Sequence, residues 1–240
     1  MAAPADLAAP LTVEQSRAID AWALQTLGIP GLILMENAGR GCAEHILKAL
    51  PCGGAARVLL LCGPGNNGGD GFVIARHLAS AGAAVDIILA AAPDKSTGDA
   101  GVNLRIIEQM RLPITRAGEP GGLARVSALV AAADIIVDAL LGTGSRGGPR
   151  GVITDLICIA NATPARPLPA DGARRPQRVA IDIPSGLDAD TGAVFEPCFR
   201  ADLTLTMVAP KIGFARDTAR PCLGRVEVID IGISRRFFAP

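Results

Sequence analysis

The sequence has no net charge and only two histidines. Its 23 Lys and Arg residues balance 23 Asp and Glu residues, so no overall field attracts it to nucleic acid or an anionic membrane. His45 and His77 both fall in predicted helices beside apolar residues, and neither lies in a strand-end loop. The scarcity of histidine argues against a serine hydrolase, because the nucleophile of that class needs a base beside it.

Zinc-type cysteine spacing and membrane-length apolar runs are also lacking. The six cysteines form no C-x-x-C pair, which predicts reduced thiols in a cytoplasmic protein. No apolar run reaches the ~18 to 20 residues needed to cross a bilayer, and the beginning of the sequence lacks a signal-peptide pattern. We therefore expect a cytoplasmic protein with neither a membrane nor a nucleic-acid partner.

Half of the 240 residues are hydrophobic, which is enough for one large α/β domain. Residues 1–10 are predicted to be a disordered tail, and residues 11–240 a single domain. Thr12 and Gln15 have the spacing of a capping box and predict a first helix, and a second helix follows Pro30.

From residue 57 onward, strand and helix patterns alternate, beginning with a strand over Arg57–Cys62 and a helix from Asp70, which predicts a mostly parallel sheet. The last two predicted strands, residues 203–208 and 226–231, lack room for long crossover helices, so a mixed or antiparallel edge is expected there. The Pro/Arg-rich segment 161–177 is predicted to be a surface loop.

A glycine-rich segment, Gly63–Gly71, follows the apolar run Val58–Cys62 and contains five glycines, two amides and one carboxylate. Glycine allows positive φ and close backbone approach, so we expect a loop that binds a polar ligand between a strand and a helix. The segment satisfies G-x-G-x-x-G, but Asp86 lies near the start of the second strand instead of its end, unlike an ordinary dinucleotide site. No Gly-Lys-Ser/Thr follows, which excludes a P-loop.

Polar side chains follow three predicted strands: Asn66 and Asn67, then Asp138, then Asp182 with Ser185. The carboxyl ends of parallel strands border one crevice, so these groups should meet there. Asp138 follows three apolar residues in a buried strand and needs a partner or a cation. Oxygen donors with one negative charge suit a hard, monovalent ion. Ser185, taken alone, is read as an ordinary turn residue after Pro184.

Five motifs carry a family resemblance: Leu34–Arg40, Gly63–Gly71, Asp138–Gly144, Ile181–Asp188 and Ala209–Lys211. With these motifs in order, the chain resembles the NAD(P)H-hydrate epimerase family, of the YjeF N-terminal domain type. The resemblance implies a Rossmann-like three-layer α/β/α sandwich and a homodimer. It also implies an isomerase that interconverts the R and S forms of hydrated NADH and NADPH at nicotinamide ring carbon 6, so that a separate dehydratase can restore the cofactor.

The resemblance also assigns roles to residues. It implies one potassium ion per subunit, held by Asn67, Asp138 and Ser185. The implied substrate contacts are Asn66, Asn67, Gly68, Gly69, Asp70, Gly142, Thr143, Gly144, Ser145, Arg146, Gly147, Gly148 and Asp182.

Either an iminium or a ring-opening route requires a group that exchanges a proton near neutral pH. Asp182 is the predicted catalytic residue, because its strand-end position lets burial raise the pKa of its carboxyl. Asp70 is the second choice. Lys211 either balances substrate phosphate or lies on the surface.

Two other functions remain open from the sequence. The first is a catalytically silent interaction scaffold of the same fold, against which the buried carboxylates argue. The second is an oxidoreductase that binds intact NAD(P).

Overall fold

The computed structural model describes residues 9–50, 56–162, 166–167, 174–175 and 177–233. Two predictions fall largely outside the described residues: the disordered tail of residues 1–10 and the surface loop of residues 161–177. The helices are α1 (Val13–Leu27), α2 (Gly31–Ala49), α3 (Asn66–Ser80), α4 (Gly98–Gln109), α5 (Gly122–Ala132), α6 (Val152–Ala162) and α7 (Arg220–Leu223). In these ranges no helix has the length and apolar character to cross a membrane.

The main sheet has seven strands in the order β3-β2-β1-β4-β7-β8-β9. They are β1 (Arg57–Cys62), β2 (Ala84–Leu89), β3 (Ile114–Arg116), β4 (Ile135–Ala139), β7 (Gln177–Ile181), β8 (Leu203–Met207) and β9 (Arg225–Ile229). A separate antiparallel pair consists of β5 (Arg166–Pro167) and β6 (Arg174–Arg175). The strand order reverses between β1 and β4, and this leaves a crevice at their carboxyl ends.

Every pair of neighbouring strands in the main sheet is parallel. The prediction of a mostly parallel sheet is therefore confirmed, but the expected mixed or antiparallel edge is wrong. The chain returns from β8 to β9 through a short 3-10 helix, Ile212–Ala215, and the one-turn helix α7. A parallel crossover needs enough chain to reverse direction twice, and here two short helical turns provide it.

Helices cover both faces of the sheet, which confirms the three-layer prediction. On one face, Leu60 of β1 packs with Phe72 of α3 in a core that also includes side chains of α2 and α4. On the other face, Leu61 packs with Val126 of α5 and Leu156 of α6. Consecutive β1 side chains thus enter different cores, as strand alternation requires.

The glycine-rich segment differs from its prediction. Helix α3 begins at Asn66, four residues before the expected start at Asp70. No glycine of this segment has a positive φ. A Cβ on Gly63 would overlap the Leu140 carbonyl oxygen, and a Cβ on Gly68 would overlap the carbonyl oxygen of Gly63. These glycines therefore allow the β1–α3 turn to pack closely on the end of β4.

Helix α1 is fixed over the carboxyl ends of the strands. The predicted capping box between Thr12 and Gln15 is present, and Asp190 Oδ1 accepts a hydrogen bond from Val13 N–H at 2.8 Å. Ile19 and Trp22 pack in a cluster with side chains of α2 and the segment after β9. The opposite side of α1 faces the crevice.

Candidate active site

Asn67, Asp138 and Ser185 meet around Leu141, just after β4. Asn67 Nδ2 donates to the Leu141 carbonyl at 3.0 Å, and Leu141 N–H donates to Ser185 Oγ at 2.9 Å. Ser185 Oγ donates to Asp138 Oδ1 at 2.7 Å, and Ser185 N–H donates to Oδ2 at 2.8 Å. The ends of three strands are therefore joined at one point, as parallel topology predicts.

The oxygen atoms of this cluster suit a hard cation. Asp138 is fully buried; desolvation raises its pKa to about 6, although hydrogen bonds from Ser185 and the Leu140 N–H oppose the rise. Asn67 is also buried, and its Oδ1 has no hydrogen-bond partner among the described residues. One carboxylate with an unpartnered amide oxygen and a hydroxyl is a donor set for a hard ion of low charge. Within the described ranges, no group of three or more His, Cys, Asp or Glu side chains forms a further metal cluster.

Asp182 lies directly after β7 and is held in an uncommon conformation. Its φ of 64° is in the left-handed region, which a non-glycine residue rarely adopts. Asp182 Oδ1 lies 2.9 Å from Lys211 Nζ, and Oδ2 accepts from Thr143 N–H at 3.4 Å. The backbone and the ion pair therefore fix one charged oxygen acceptor in the crevice.

Lys211 is buried, so the alternative of a surface lysine is wrong. Besides Asp182, its Nζ donates to Thr206 Oγ1 at 3.0 Å and to the carbonyls of Met207 and Ala209 at 3.1 and 3.3 Å. Together with Asp182 they place four acceptor oxygens around the three N–H donors of the ammonium, so no donor is left unpaired. The structure thus gives Lys211 the task of holding Asp182, and contact with substrate phosphate stays a prediction.

Two other carboxyl groups lie close to Asp182. Burial raises the pKa of Asp70 well above its usual range, and the charges of Asp182 and Asp20 add to this rise. Asp20 is exposed at the surface of the crevice, yet desolvation by the surrounding protein raises its pKa to about 6; the charge of Asp182 adds to the rise and that of Lys211 opposes it. The crevice therefore combines a carboxylate paired with a lysine and two carboxyl groups that hold a proton more readily than usual.

The crevice has two adjoining chambers. The first chamber has a volume of about 760 Å³ and contains Asp20, Asp70, Asp182 and Lys211 in its lining. The second chamber has a volume of about 470 Å³ and contains Arg146 in its lining. The two share Arg17, Leu141, Gly142, Thr143 and Ser145. Both volumes are in the range of small-molecule sites.

Most of the predicted substrate contacts line one or both chambers, and three glycines lie behind the chamber walls. The first chamber is lined by Asn66, Asn67, Asp70, Gly142, Thr143, Gly144, Ser145 and Asp182. Arg146 and Gly147 line the second chamber only. Gly68, Gly69 and Gly148 line neither; a Cβ on Gly69 would meet Met35, and one on Gly148 would meet Phe195. The three glycines therefore support the walls, and direct contact with substrate stays a prediction for them.

Asp20 and Arg17 lie in the crevice but were not identified from the sequence. They are three residues apart on α1, so they share one side of the helix. The sequence did contain one indication of their position: Arg17 and Asp20 have helical spacing and lie on the side of α1 opposite the apolar residues Ile19 and Trp22. Neither histidine lines a chamber: His77 Nε2 lies 2.8 Å from Glu36, and His45 Nδ1 lies 2.8 Å from the Gly41 carbonyl.

The fold and the crevice define a Rossmann-like α/β/α protein with a small-molecule site at the switch point of its sheet. Within that class, the chain belongs to the family described as YjeF-related protein N-terminus, whose model matches residues 31–213. Helix α1 precedes the matched region.

Relatives of known name cover nearly the whole chain. It is 45% identical to the NAD(P)H-hydrate epimerase of Rhodopirellula baltica, over 93% of this chain and 84% of that protein. It is 40% identical to the NAD(P)H-hydrate epimerase of Pirellula staleyi, over 92% of this chain and 91% of that protein. The crystal structure of yeast ynu0 has the same fold, with a TM-score of 0.74 and 22% identity, covering 95% of this chain and 91% of that one.

Proposed function

We propose that this chain is an isomerase that interconverts the R and S forms of hydrated NADH or NADPH at nicotinamide ring carbon 6. The observation that carries the proposal is the position of the Asp182–Lys211 pair, in the crevice of a chain 45% identical to a named NAD(P)H-hydrate epimerase. The reaction repairs a damaged nicotinamide nucleotide.

The chemistry follows from the substrate. Ring carbon 6 carries a hydroxyl beside the ring nitrogen, so the stereocentre is a hemiaminal, and inversion needs no change of oxidation state. The hydroxyl can leave as the nitrogen forms an iminium, or the ring can open and close again. Both routes move protons to and from oxygen, which is general acid–base work. Asp182 is the proposed catalytic residue because its carboxylate is fixed in the first chamber.

We propose that Asn67, Asp138 and Ser185 hold one potassium ion. The fit rests on the unpartnered Asn67 Oδ1 and on the buried Asp138 carboxyl, which desolvation disfavours as an anion. A bound monovalent cation would neutralise that carboxylate and tie the loops after β1, β4 and β7 together. Its main effect would be to hold these loops in place, because an ion of single charge polarises a bound substrate only weakly.

The charges of the chambers suggest how the substrate lies. The first chamber is lined by four aspartates and Lys211, with Arg17 at the boundary between the chambers. The second chamber has Arg17 and Arg146 beside the carboxylates of Glu14, Asp188 and Asp190. Neither arginine forms an ion pair within the described part of the chain. We propose that the neutral nicotinamide ring enters the first chamber and that the pyrophosphate lies beside the arginines.

A direct assay tests the proposed function. Purified protein is incubated with one separated epimer of NADH-hydrate or NADPH-hydrate, and both epimers are followed by chromatography with and without potassium. We expect equilibration well above the rate without protein. No acceleration would exclude the isomerase and favour the silent scaffold.

The same protein, titrated with intact NADH and NADPH, tests the oxidoreductase. The structure disfavours that alternative, because β2 ends at Leu89 without an acidic residue, and the following Asp94 points to solvent with its side chain 73% exposed.

Some relatives join two activities in one chain. The bifunctional NAD(P)H-hydrate repair enzyme Nnr of Salinibacter ruber is 41% identical, and the present chain covers 40% of it. We propose that a separate NAD(P)H-hydrate dehydratase is the functional partner, in the cytoplasm. A homodimer is the proposed assembly; Leu24 and Ile33, each at least half exposed on α1 and α2, are the apolar residues that such a contact would cover.

A further inference from the structure

Helix α1 brings Asp20 into the first chamber, where the proposed mechanism has not used it. Ile19, Trp22 and Ala23 are buried on the other side of the helix. With that side packed, the helical repeat directs Asp20 toward the crevice. The capping box and the Asp190 contact at Val13 fix the start of α1, so the position of Asp20 is set by the fold.

The charged groups around Asp20 come from several elements. Asp182 after β7, Asp70 on α3 and Lys211 act on its charge. Arg17 on its own helix and Asp99 on α4 also line the chamber. Asp182 is held by Lys211 and Thr143, whereas no hydrogen bond of the described residues fixes the Asp20 carboxyl. Asp20 is therefore free to turn toward a molecule in the chamber.

Inversion at a hemiaminal carbon benefits from two proton-transfer groups. Water must leave from one face of the ring and return to the other, and one carboxyl cannot reach both faces without moving. An ionised carboxylate and a protonated carboxyl on different elements meet this need. The structure offers two different carboxyl groups: Asp182 is paired with the Lys211 ammonium, whereas the pKa of Asp20 is raised to about 6.

We propose that Asp20 is a second catalytic acid–base residue, acting with Asp182; this rests on the proposed epimerase function. Protonated Asp20 gives its proton to the carbon 6 hydroxyl. The C–O bond breaks, water leaves with its electron pair, and the nitrogen lone pair forms the C=N bond. A water molecule then adds to carbon 6 from the other face, the C=N electrons return to nitrogen, and the Asp182 carboxylate takes the released proton. Solvent returns that proton to Asp20.

The test compares the pH dependence of turnover in wild type, Asp20→Asn and Asp20→Glu, after subtraction of the rate without protein. Wild-type kcat/KM should fall as pH rises through about 6, because Asp20 loses its proton there. Asp20→Asn should lower kcat by ~10²-fold or more, keep KM within about twofold and lose this dependence on pH. Asp20→Glu should restore part of the rate and the pH-dependent fall.

Asp217→Asn is the matched control, because the Asp217 side chain is 88% exposed and lines neither chamber. An inactive wild type would overturn the epimerase function itself. An active wild type with near-normal kcat in Asp20→Asn would overturn the role of Asp20 alone. A slower Asp20→Asn that keeps the wild-type pH profile would also overturn it. Thermal unfolding of each variant establishes that it is folded. If Asp20→Asn does not fold, the kcat and pH profile of Asp20→Glu provide the test instead.

Discussion

At the scale of single residues, Asp182 is fixed by two independent constraints: its left-handed backbone and its pair with Lys211. Asparagine tolerates the same backbone conformation and keeps an oxygen that Lys211 can bind.

We expect Asp182→Asn to fold, with a free energy of unfolding lower by about 1–3 kcal/mol because a buried ammonium loses its counter-charge. Epimerisation should slow by ~10²-fold or more in the chromatographic assay. Near-normal turnover would remove Asp182 from catalysis; Asp94→Asn, which is exposed, is the control.

Asp138 links stability, pH and the proposed ion. Its pKa rises on folding from 3.8 to about 6, so the charged form is disfavoured in the folded state. Without a cation, the Asp138 contribution to the free energy of unfolding should fall by about 3 kcal/mol as pH rises from 4 to above 6. Potassium would offset this loss. The gain in thermal stability on replacing choline chloride with potassium chloride should therefore be small near pH 4 and reach its full value above pH 6.

Asn67→Ala and Asn66→Ala form the matched pair for this experiment. Asn67 is buried with an unpartnered oxygen, whereas its neighbour Asn66 is exposed. Stabilisation by potassium should be lost in Asn67→Ala and kept in Asn66→Ala. Equal stabilisation in both variants would contradict the assigned site.

The sequence identified Asn67, Asp138 and Ser185 because each follows a recognisable apolar strand. In a parallel sheet the ends of adjacent strands meet, so their proximity needs no knowledge of side-chain geometry. Asp20 and Lys211 were harder to interpret, since neither follows a buried strand of the central pair. The burial of Lys211 and the place of Asp20 in the crevice depend on α1 packing over the sheet, which local patterns do not determine.

At the scale of elements, the turn from β1 into α3 depends on close backbone packing. A Cβ on Gly68 would overlap the Gly63 carbonyl, whereas a Cβ on Gly65 meets nothing within 4 Å. We expect Gly68→Ala to lower the free energy of unfolding by about 1–3 kcal/mol and to displace Asn67 from the ion site. Gly65→Ala, one turn earlier, should change stability little. Denaturant unfolding of both variants measures the difference, and equal stabilities would contradict the packing role.

Helices and strands with a clear hydrophobic pattern could be placed from the sequence, and the differences at their ends have physical causes. The bounds of β1 match the prediction because an apolar run ends at a glycine. The start of α3 was placed late because Asn66–Gly69 has poor helix propensity. Packing of Gly68 on Gly63, and of Gly63 on Leu140, overrides that propensity and starts the helix at Asn66.

At the scale of the whole molecule, the crevice is assembled from distant parts of the chain. Leu11 forms a parallel bridge with Lys211, which places α1 beside the segment that follows β8. The parallel pairing of β8 and β9 was not expected from the sequence, because the segment between them is too short for a long crossover helix. Short helical turns suffice, and Lys211 lies between β8 and the first of them, where its ammonium pairs with Asp182.

Charge is distributed unevenly along the crevice, which predicts how substrate binds. Arg17 lies where the chambers adjoin, and the carboxylates of Asp188 and Asp190 in the second chamber already accept backbone hydrogen bonds. A pyrophosphate beside Arg17 gains a charge-assisted hydrogen bond worth about 1.5–3 kcal/mol. We therefore expect Arg17→Gln to raise KM by about tenfold or more with kcat nearly unchanged, since the contact is the same in ground and transition states.

Salt provides the second measurement on Arg17→Gln. Wild-type KM should rise with ionic strength because a phosphate–guanidinium contact at an open chamber is screened, and the variant should show a weaker dependence. Arg105→Gln is the matched control, because Arg105 is an exposed arginine on α4 that lines neither chamber. If Arg17→Gln kept the wild-type KM and its salt dependence, the pyrophosphate would have to lie elsewhere, and the orientation with nicotinamide beside Asp182 would lose its electrostatic basis.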